Sequence, residues 1–256
     1  MKALLLCDDG QWERIGALAR RHGLGMEAQA FYDPELLQND PEAIEKHLAA
    51  MAGIKLRAVH GPFGDLNPGS FDPMVREVTR HRFEIGFRAG QQLGAQHLVL
   101  HLGYVPKTSP ITRWVARCVD FWQDFLAAHS PEMTIHLENM LEHDPAILLD
   151  VVAGIGHPTV DVCLDIGHVQ ANAPVPVLRW IEVLGRNIGY VHLHDNHGEA
   201  DEHLGLGAGT LPMKEVCATL ERYAPKALWA IEAEGDGIEL SLSWLRRNGY
   251  VDIGQD

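Results

Sequence analysis

Histidines and acidic residues stand at the end of, or just after, a series of short apolar runs in this 256-residue chain. The nine positions that recur in this way are His60, His101, Glu138, Asp165, His168, His192, Asp201, His203 and Glu232. Imidazole and carboxylate are ligands that zinc and manganese accept, and a carboxylate can serve two ions. One such residue alone is usually a hydrogen-bonded structural residue, but nine buried together without a cation would carry a large desolvation cost. The pattern predicts a divalent-metal site that holds zinc or manganese.

The elements that must position these residues alternate regularly between short β-rich runs and longer amphipathic runs. The predicted strands are residues 2–7, 25–31, 55–60, 97–102, 134–138, 160–165, 188–194 and 228–233. The predicted helices are residues 11–22, 41–52, 73–93, 111–129, 146–155, 177–184, 213–223 and 240–247. Strands that alternate with helices form a parallel sheet, and eight such units favour a closed barrel over an open sheet.

The predicted fold class is therefore α/β: a single (β/α)₈ TIM barrel that forms one domain over residues 1–256. An open nucleotide-binding sheet would place a glycine-rich phosphate turn after its first strand, where this chain reads CDDGQW. The later run LGLGAG follows a loop, so we interpret it as a close-packed turn. In a barrel, the residues at the strand ends meet at the C-terminal mouth, which is where barrel enzymes place their chemistry.

The composition narrows the choice of partner and compartment. The chain has 21 Lys and Arg against 35 Asp and Glu, a net charge of −14, which disfavours binding to phosphate backbones. Its four cysteines form no C-x-x-C pair, so neither a disulfide framework nor a zinc finger is indicated. The first apolar run is too short for a signal peptide, and no run reaches the ~18 residues of a membrane span. We expect a cytoplasmic protein.

Several other polar and aromatic residues have a structural interpretation. His136 and His194 share the inward face with the predicted ligands and are expected to fill a barrel layer, with a supporting role at the metal site as the alternative. Asn139 and Asp195 could orient ligands. Histidines that fall on helices or at their ends are expected to be solvated: His22, His47, His81, His129, His143 and His157. Tryptophans at helical spacing are expected to pack between helices and barrel: Trp114, Trp122 and Trp180.

With these motifs in order, the chain resembles the xylose isomerase-like superfamily, which includes endonuclease IV and the ketose epimerases. The motifs that carry the resemblance are HGPF, HLGY, LEN, LDIGH, HLHD, DEHLGLGAGT and IEAE. The endonuclease IV pattern implies three metals: one on His60, His101 and Glu138, one on Glu138, Asp165, His192 and Glu232, and one on His168, Asp201 and His203. The epimerase pattern implies one metal on Glu138, Asp165, His192 and Glu232, with Glu138 and Glu232 moving a proton on and off carbon.

The resemblance therefore leaves two chemistries open, a sugar isomerase or epimerase and a phosphoester hydrolase of the endonuclease IV type. The D-x-H pair of Asp201 and His203 favours the hydrolase. The loop FYDPELLQND, which is acidic and lacks Lys and Arg, and Phe63, where the repair enzyme has tyrosine, disfavour DNA as a partner. We expect an isomerase or epimerase acting on a small sugar or sugar phosphate. A metal-binding barrel without activity is a third alternative that no residue favours.

Overall fold

Eight parallel strands pair in chain order and the last pairs with the first, so the sheet closes into a barrel. The computed structural model describes residues 2–8, 10–129 and 132–252. The strands are β1 (Leu4–Cys7), β2 (Gly25–Ala28), β3 (Arg57–His60), β4 (His97–His101), β5 (Thr134–Glu138), β6 (Val160–Asp165), β7 (Ile188–Leu193) and β8 (Leu228–Ile231). Every predicted strand is present, and each observed strand lies within its predicted bounds. The expected (β/α)₈ barrel is confirmed.

Helices surround the barrel, and most match their predicted bounds. They are α1 (Trp12–His22), α2 (Leu36–Asn39), α3 (Ala43–Ala50), α4 (Pro73–Leu93), α5 (Ile111–Ala128), α6 (Ala146–Ile155), α7 (Ile166–Asn172), α8 (Val177–Leu184), α9 (Met213–Tyr223) and α10 (Gly237–Arg247). No helix in the described ranges is both long and apolar enough to cross a membrane.

The helical predictions need correction at α2, α3, α7 and α10. The helix expected over residues 41–52 is the shorter α3, since the Asp40 carboxylate accepts the main-chain N–H of Glu42 and holds a turn there. Helices α2 and α7 were not predicted, because four and seven residues are too few to display a repeating apolar pattern. Helix α10 begins at Gly237, three residues before its predicted start. Asp165, the residue before α7, caps that helix, because its carboxylate accepts the main-chain N–H of His168.

The core has two parts. A large layer between helices and sheet contains the predicted packing residues Trp114, Trp122 and Trp180, all fully buried. A smaller cluster fills the inside of the barrel with short or slender side chains around Tyr190: Leu5, Cys7, Ala58, Val99, Cys163 and Ala230. Because this plug occupies the deeper layers, the polar side chains at the strand ends lie above it.

His47 departs from its prediction. It is buried rather than solvated, packed between Trp12 and Phe31, and its Nδ1 donates to the carbonyl of Ala43. The apolar face of α3 turns toward the barrel, and a histidine one turn after Ala43 lies on that face.

Strand register sets the height of the candidate residues. His101 of β4 pairs with Glu138 of β5, and Asp165 of β6 pairs with His192 of β7. Paired residues of parallel strands lie side by side at the same level of the sheet. His101 and Glu138 therefore lie side by side near the mouth, as do Asp165 and His192.

The close packing of α1 on α3 allows a test of the fold. A Cβ on Gly16 would clash with the main-chain oxygen of Ala50, which cannot move without shifting the end of α3. Gly16→Ala is therefore expected to lower the free energy of unfolding by about 1–3 kcal/mol, although alanine is the better helix former. Gly64→Ala is the control, because a Cβ there meets no atom within 4 Å. Denaturant unfolding of both variants checks this, and a Gly16→Ala protein as stable as the wild type would contradict the packing.

Candidate metal centre

Glu138, the last residue of β5, lies at the centre of the polar cluster. Its Oε2 is 3.0 Å from Nε2 of His60 and 3.2 Å from Nε2 of His101. Its Oε1 is 3.0 Å from Nδ1 of His192. All four side chains are buried. The two oxygens of one carboxylate thus face two different groups of imidazoles, as a residue that bridges two ions would.

A second group surrounds His192, near the end of β7. Its Nδ1 lies 3.0 Å from Glu138, 3.2 Å from Oε2 of Glu232 and 3.8 Å from Oδ2 of Asp165. Three carboxylates from three strands therefore converge on one imidazole nitrogen. These four residues are those of the epimerase pattern.

The third group lies nearer to solvent. Oδ2 of Asp201 is 3.1 Å from Nε2 of His168 and 3.0 Å from Nε2 of His203. Asp165 joins this group to the second, because its Oδ1 accepts the main-chain N–H of His168 at 2.6 Å. The structure thus brings all nine predicted residues into one continuous cluster.

The orientation of three imidazoles indicates what the cluster is built to hold. Nδ1 donates to a main-chain carbonyl in His60 (Gly61, 2.9 Å), His168 (Asn139, 2.8 Å) and His203 (Glu232, 2.8 Å). In the neutral ring, this leaves the lone pair of Nε2 directed at a carboxylate oxygen. Two acceptors in contact repel each other unless a proton or a metal ion lies between them. Fixing Nδ1–H in this way is the usual support of a histidine that binds metal through Nε2.

The pKa values describe the cluster when protons alone balance its charge. Burial disfavours charged His203, but the hydrogen bond with Asp201 and the charge of Glu232 outweigh it and raise its pKa to about 10. Burial likewise opposes the charge on Glu138, but His101 and His192 hold its carboxyl pKa well below the usual range. For Glu232, burial dominates and raises the pKa. The carboxylates therefore need positive charge from their neighbours.

Glu232 also retains an unused buried atom. Its Oε1 accepts a 2.7 Å hydrogen bond from Gln29, whereas its buried Oε2 accepts none from any residue in the described ranges. A buried carboxylate oxygen without a donor carries a desolvation cost that a cation would offset. The residues present therefore fit a divalent metal.

Sequence reasoning missed two contributors and misjudged a third. Glu27 is fully buried in β2 and contacts His192, and Gln29 follows just after the same strand. The signal was a charged residue inside a short strand, GMEA, that is otherwise apolar. His194 does more than fill a layer, because its Nε2 lies 3.1 Å from both carboxylate oxygens of Asp165. Only glycine at position 167 leaves room for that ring.

The other residues that the sequence suggested could orient the ligands make different contacts. The side chain of Asn139 hydrogen-bonds the main-chain N–H and carbonyl of Asp165, so it fixes the end of β6. His136 packs against Tyr190 and bonds Asp161 and His97 in a deeper layer, as expected of a filling residue.

Asp195 organises the glycine-rich loop. It pairs with Leu204 through two 2.9 Å main-chain hydrogen bonds, and its carboxylate accepts the N–H groups of Gly207 and Leu211. The LGLGAG run is a close-packed turn as predicted, since a Cβ at Gly209 would strike Asn196. His203, within the closed loop, has a left-handed φ of 48°. Such strain in a residue other than glycine is common at functional sites.

A cavity of about 550 Å³ opens above the cluster. One wall is apolar. The Phe63 ring stacks on the His101 ring with 4.1 Å between ring centroids and packs against the Tyr32 ring with 5.7 Å between centroids. Leu36 and Met140 also line this cavity. Acidic groups also line the cavity, but none of the described lining residues is a lysine or an arginine. The cavity therefore offers aromatic surface and carboxylates, and no protein cation except imidazolium.

A model of the xylose isomerase-like TIM barrel family matches residues 10–248. The chain belongs to this family. Among curated relatives, the uncharacterised protein MJ1311 of Methanocaldococcus jannaschii is 31% identical over 186 residues, 68% of this chain and 63% of that protein. The chain thus covers slightly less than two thirds of this relative. MJ1614 of the same organism is 24% identical over 71% of each chain.

Solved structures with this family fold include two that align over nearly the whole chain. The TTHB071 protein of Thermus thermophilus, from a crystal soaked with ZnCl₂, is 25% identical with a TM-score of 0.79, covering 96% of this chain and 98% of that one. A D-tagatose 3-epimerase-like protein is 24% identical with a TM-score of 0.76 over 97% of both chains. The latter likeness shows the shared barrel.

The number of ligand groups allows a direct test of metal content. Protein purified without chelator is expected to carry more than one equivalent of zinc, manganese or iron, because one ion cannot use nine protein ligands. The Asp201→Ala, His203→Ala double variant should lose about one equivalent and keep the rest. Elemental analysis of both proteins checks this. A wild-type protein that carries at most one ion per chain would contradict a three-metal centre. That result would still be consistent with one ion on the four residues of the epimerase pattern.

Proposed function

We propose that this protein is a divalent-metal-dependent enzyme that isomerises or epimerises a small sugar. The observation that carries the proposal is the convergence of Glu138, Asp165 and Glu232 on the buried Nδ1 of His192, with Glu138 and Glu232 also lining the cavity. These are the four residues that the epimerase pattern requires. Among structures of this fold, one is a D-allulose 3-epimerase from Methylomonas sp. in complex with D-allulose, and another is an IolI protein with a zinc atom.

These four residues would hold the ion on which turnover depends. A divalent ion there would polarise a carbonyl oxygen of the substrate and so acidify the neighbouring C–H bond. Zinc and manganese both suit a site of one imidazole and three carboxylates.

Two of the carboxylates are proposed to move the proton. One of Glu138 and Glu232 takes the proton from carbon and the other returns it, which is general acid–base catalysis from two sides. Oε2 of Glu232 accepts no hydrogen bond from the described residues, so it can receive a proton without losing a partner. Gln29 holds the other oxygen of Glu232 and so keeps the carboxylate in position.

The cavity lining favours an uncharged sugar over a sugar phosphate. A phosphate is usually bound by arginine, lysine or a helix N-terminus, and the described lining offers neither cationic residue. Phe63 and Tyr32 provide flat apolar surface on which the C–H face of a sugar can pack and which excludes water. The hydroxyl groups would meet the carboxylates and Gln29.

A phosphoester hydrolase of the endonuclease IV type is the second candidate, and one observation favours it. His168, Asp201 and His203 form a compact group that a one-metal epimerase does not need. Clustered ions can activate water and stabilise a leaving oxygen.

A cytoplasmic location and a one-domain organisation over residues 1–256 stay predictions.

Variants of the two carboxylates test the site under either mechanism, and a variant of the third ligand group separates the two mechanisms. Glu138→Gln or Glu232→Gln should lower turnover by about 10²–10⁴-fold, because each removes a proton carrier. The Asp201→Ala, His203→Ala double variant should abolish a hydrolase and only weaken an epimerase. Glu182→Gln, an exposed carboxylate paired with Arg179, is the control. Steady-state rates on the substrate that wild type converts provide the measurement, and near-normal turnover by Glu232→Gln would reject this assignment.

The substrate class has its own test. Metal-loaded protein is expected to convert a free ketose or aldose and to leave an abasic-site duplex uncut at physiological salt. Duplex binding requires several phosphate contacts, and these are opposed by the net charge of −14 and by the lack of lysine and arginine among the described residues that line the cavity. The assay incubates the protein separately with a labelled abasic duplex and with a panel of sugars and sugar phosphates. Single-nick incision at low enzyme concentration would establish the hydrolase instead.

A further inference from the structure

Strand β2 carries none of the nine predicted ligands, yet it places a carboxylate behind one of them. Glu27 is fully buried, and its Oε1 lies 3.1 Å from Nε2 of His192. Its Oε2 accepts a 2.5 Å hydrogen bond from the hydroxyl of Tyr190. Because Glu27 pairs with Ala58, two residues before His60, it lies two residues deeper in the sheet than that predicted ligand.

His192 is oriented differently from the three histidines whose Nδ1 is held by the main chain. Its Nδ1 faces Glu138 and Glu232, and its Nε2 is turned inward to Glu27. An ionised carboxylate can only accept hydrogen bonds, so the contact with Glu27 keeps the proton on Nε2. The neutral ring then presents the lone pair of Nδ1 to the point where the three carboxylates meet.

We propose that Glu27 is a positioning residue that fixes the ring and the tautomer of His192, so that Nδ1 is the metal-binding atom. This inference rests on the proposed function, because it concerns the ion that His192 would share with Glu138, Asp165 and Glu232. The negative charge of Glu27 also makes the imidazole a stronger donor to that ion.

Gln29 extends the effect of Glu27 to a second ligand. Its Nε2 lies 3.1 Å from Glu27 and 2.7 Å from Oε1 of Glu232. Both neighbours are acceptors, so the nitrogen of the amide, and not its oxygen, must face them. Glu27 therefore anchors His192 directly and Glu232 through one intervening side chain.

Another interpretation of the same neighbourhood is an ion held deeper in the barrel. Cys7, Glu27 and His192 lie close enough together to surround one. Under that alternative Cys7 would be as necessary for binding as Glu27, whereas under the proposal Cys7 is dispensable for metal binding. Cys7→Ser therefore distinguishes the two interpretations.

The experiment measures Zn²⁺ binding to metal-free protein by competition with a chromophoric chelator. Glu27→Gln keeps an oxygen for Nε2–H and loses the charge, so the step that involves His192 should weaken about 10-fold. Glu27→Met removes the acceptor as well and should weaken it about 100-fold. Binding to His168, Asp201 and His203 should not change. Glu142→Gln, a buried carboxylate that accepts the main-chain N–H groups of Tyr104 and Met140, controls for the loss of a buried acid.

A second readout examines the ring itself. In Zn²⁺-loaded protein with ¹⁵N-labelled histidine, NMR should find the His192 proton on Nε2 in the wild type and in Glu27→Gln. In Glu27→Met this single protonated form should be lost. Wild-type affinity in Glu27→Met, equal weakening by Cys7→Ser, or a His192 proton on Nδ1 would each overturn the inference while the metal site stands. A wild-type protein that binds no divalent ion would remove the proposed function itself.

Discussion

Mutual repulsion among carboxylates in a space with little water is the constraint on which the mouth of this barrel depends. Glu27, Glu138 and Asp165 are buried, and Glu232 has a buried oxygen without a donor among the described residues. Like charges so close together interact strongly where the effective dielectric constant is low. Neighbouring groups offset this repulsion. Imidazoles face both oxygens of Glu138. The Asp165 carboxylate accepts hydrogen bonds from the His194 ring and from the main-chain N–H of His168 in α7. The same arrangement makes the mouth selective for cations.

The sequence predicted the barrel closely because two independent patterns agree. Buried parallel strands appear as short apolar runs and the helices as longer periodic ones, so their alternation is visible without any contact information. The predictions were poorer where an element is too short to show a period, as in α7, or where a polar residue turns inward, as His47 does.

The candidate site was predictable to the extent that it follows from strand ends. Parallel strands in a barrel end on one face, so His101, Glu138, Asp165 and His192 had to meet whatever their side-chain conformations. Glu27 lies below that face, and its contact depends on how the ring of His192 is turned. The spacing of residues along the sequence reveals neither the depth of Glu27 nor the orientation of the His192 ring. His194 was ambiguous for the same reason, because strand alternation places it inward without saying which neighbour it meets.

The hydrogen bonds of Asp195 bear on the free-energy cost of the ion binding that we propose. The segment that bears Asp201 and His203 is closed at its base by the pairing of Asp195 with Leu204 and by N–H groups bound to the Asp195 carboxylate. The entropy of closing that segment is therefore lost once, when the chain folds. An ion bound between His168, Asp201 and His203, as we propose, would have little chain left to order, so little of its binding free energy would be spent on immobilising the loop. The proposed site would then be a preformed receptor.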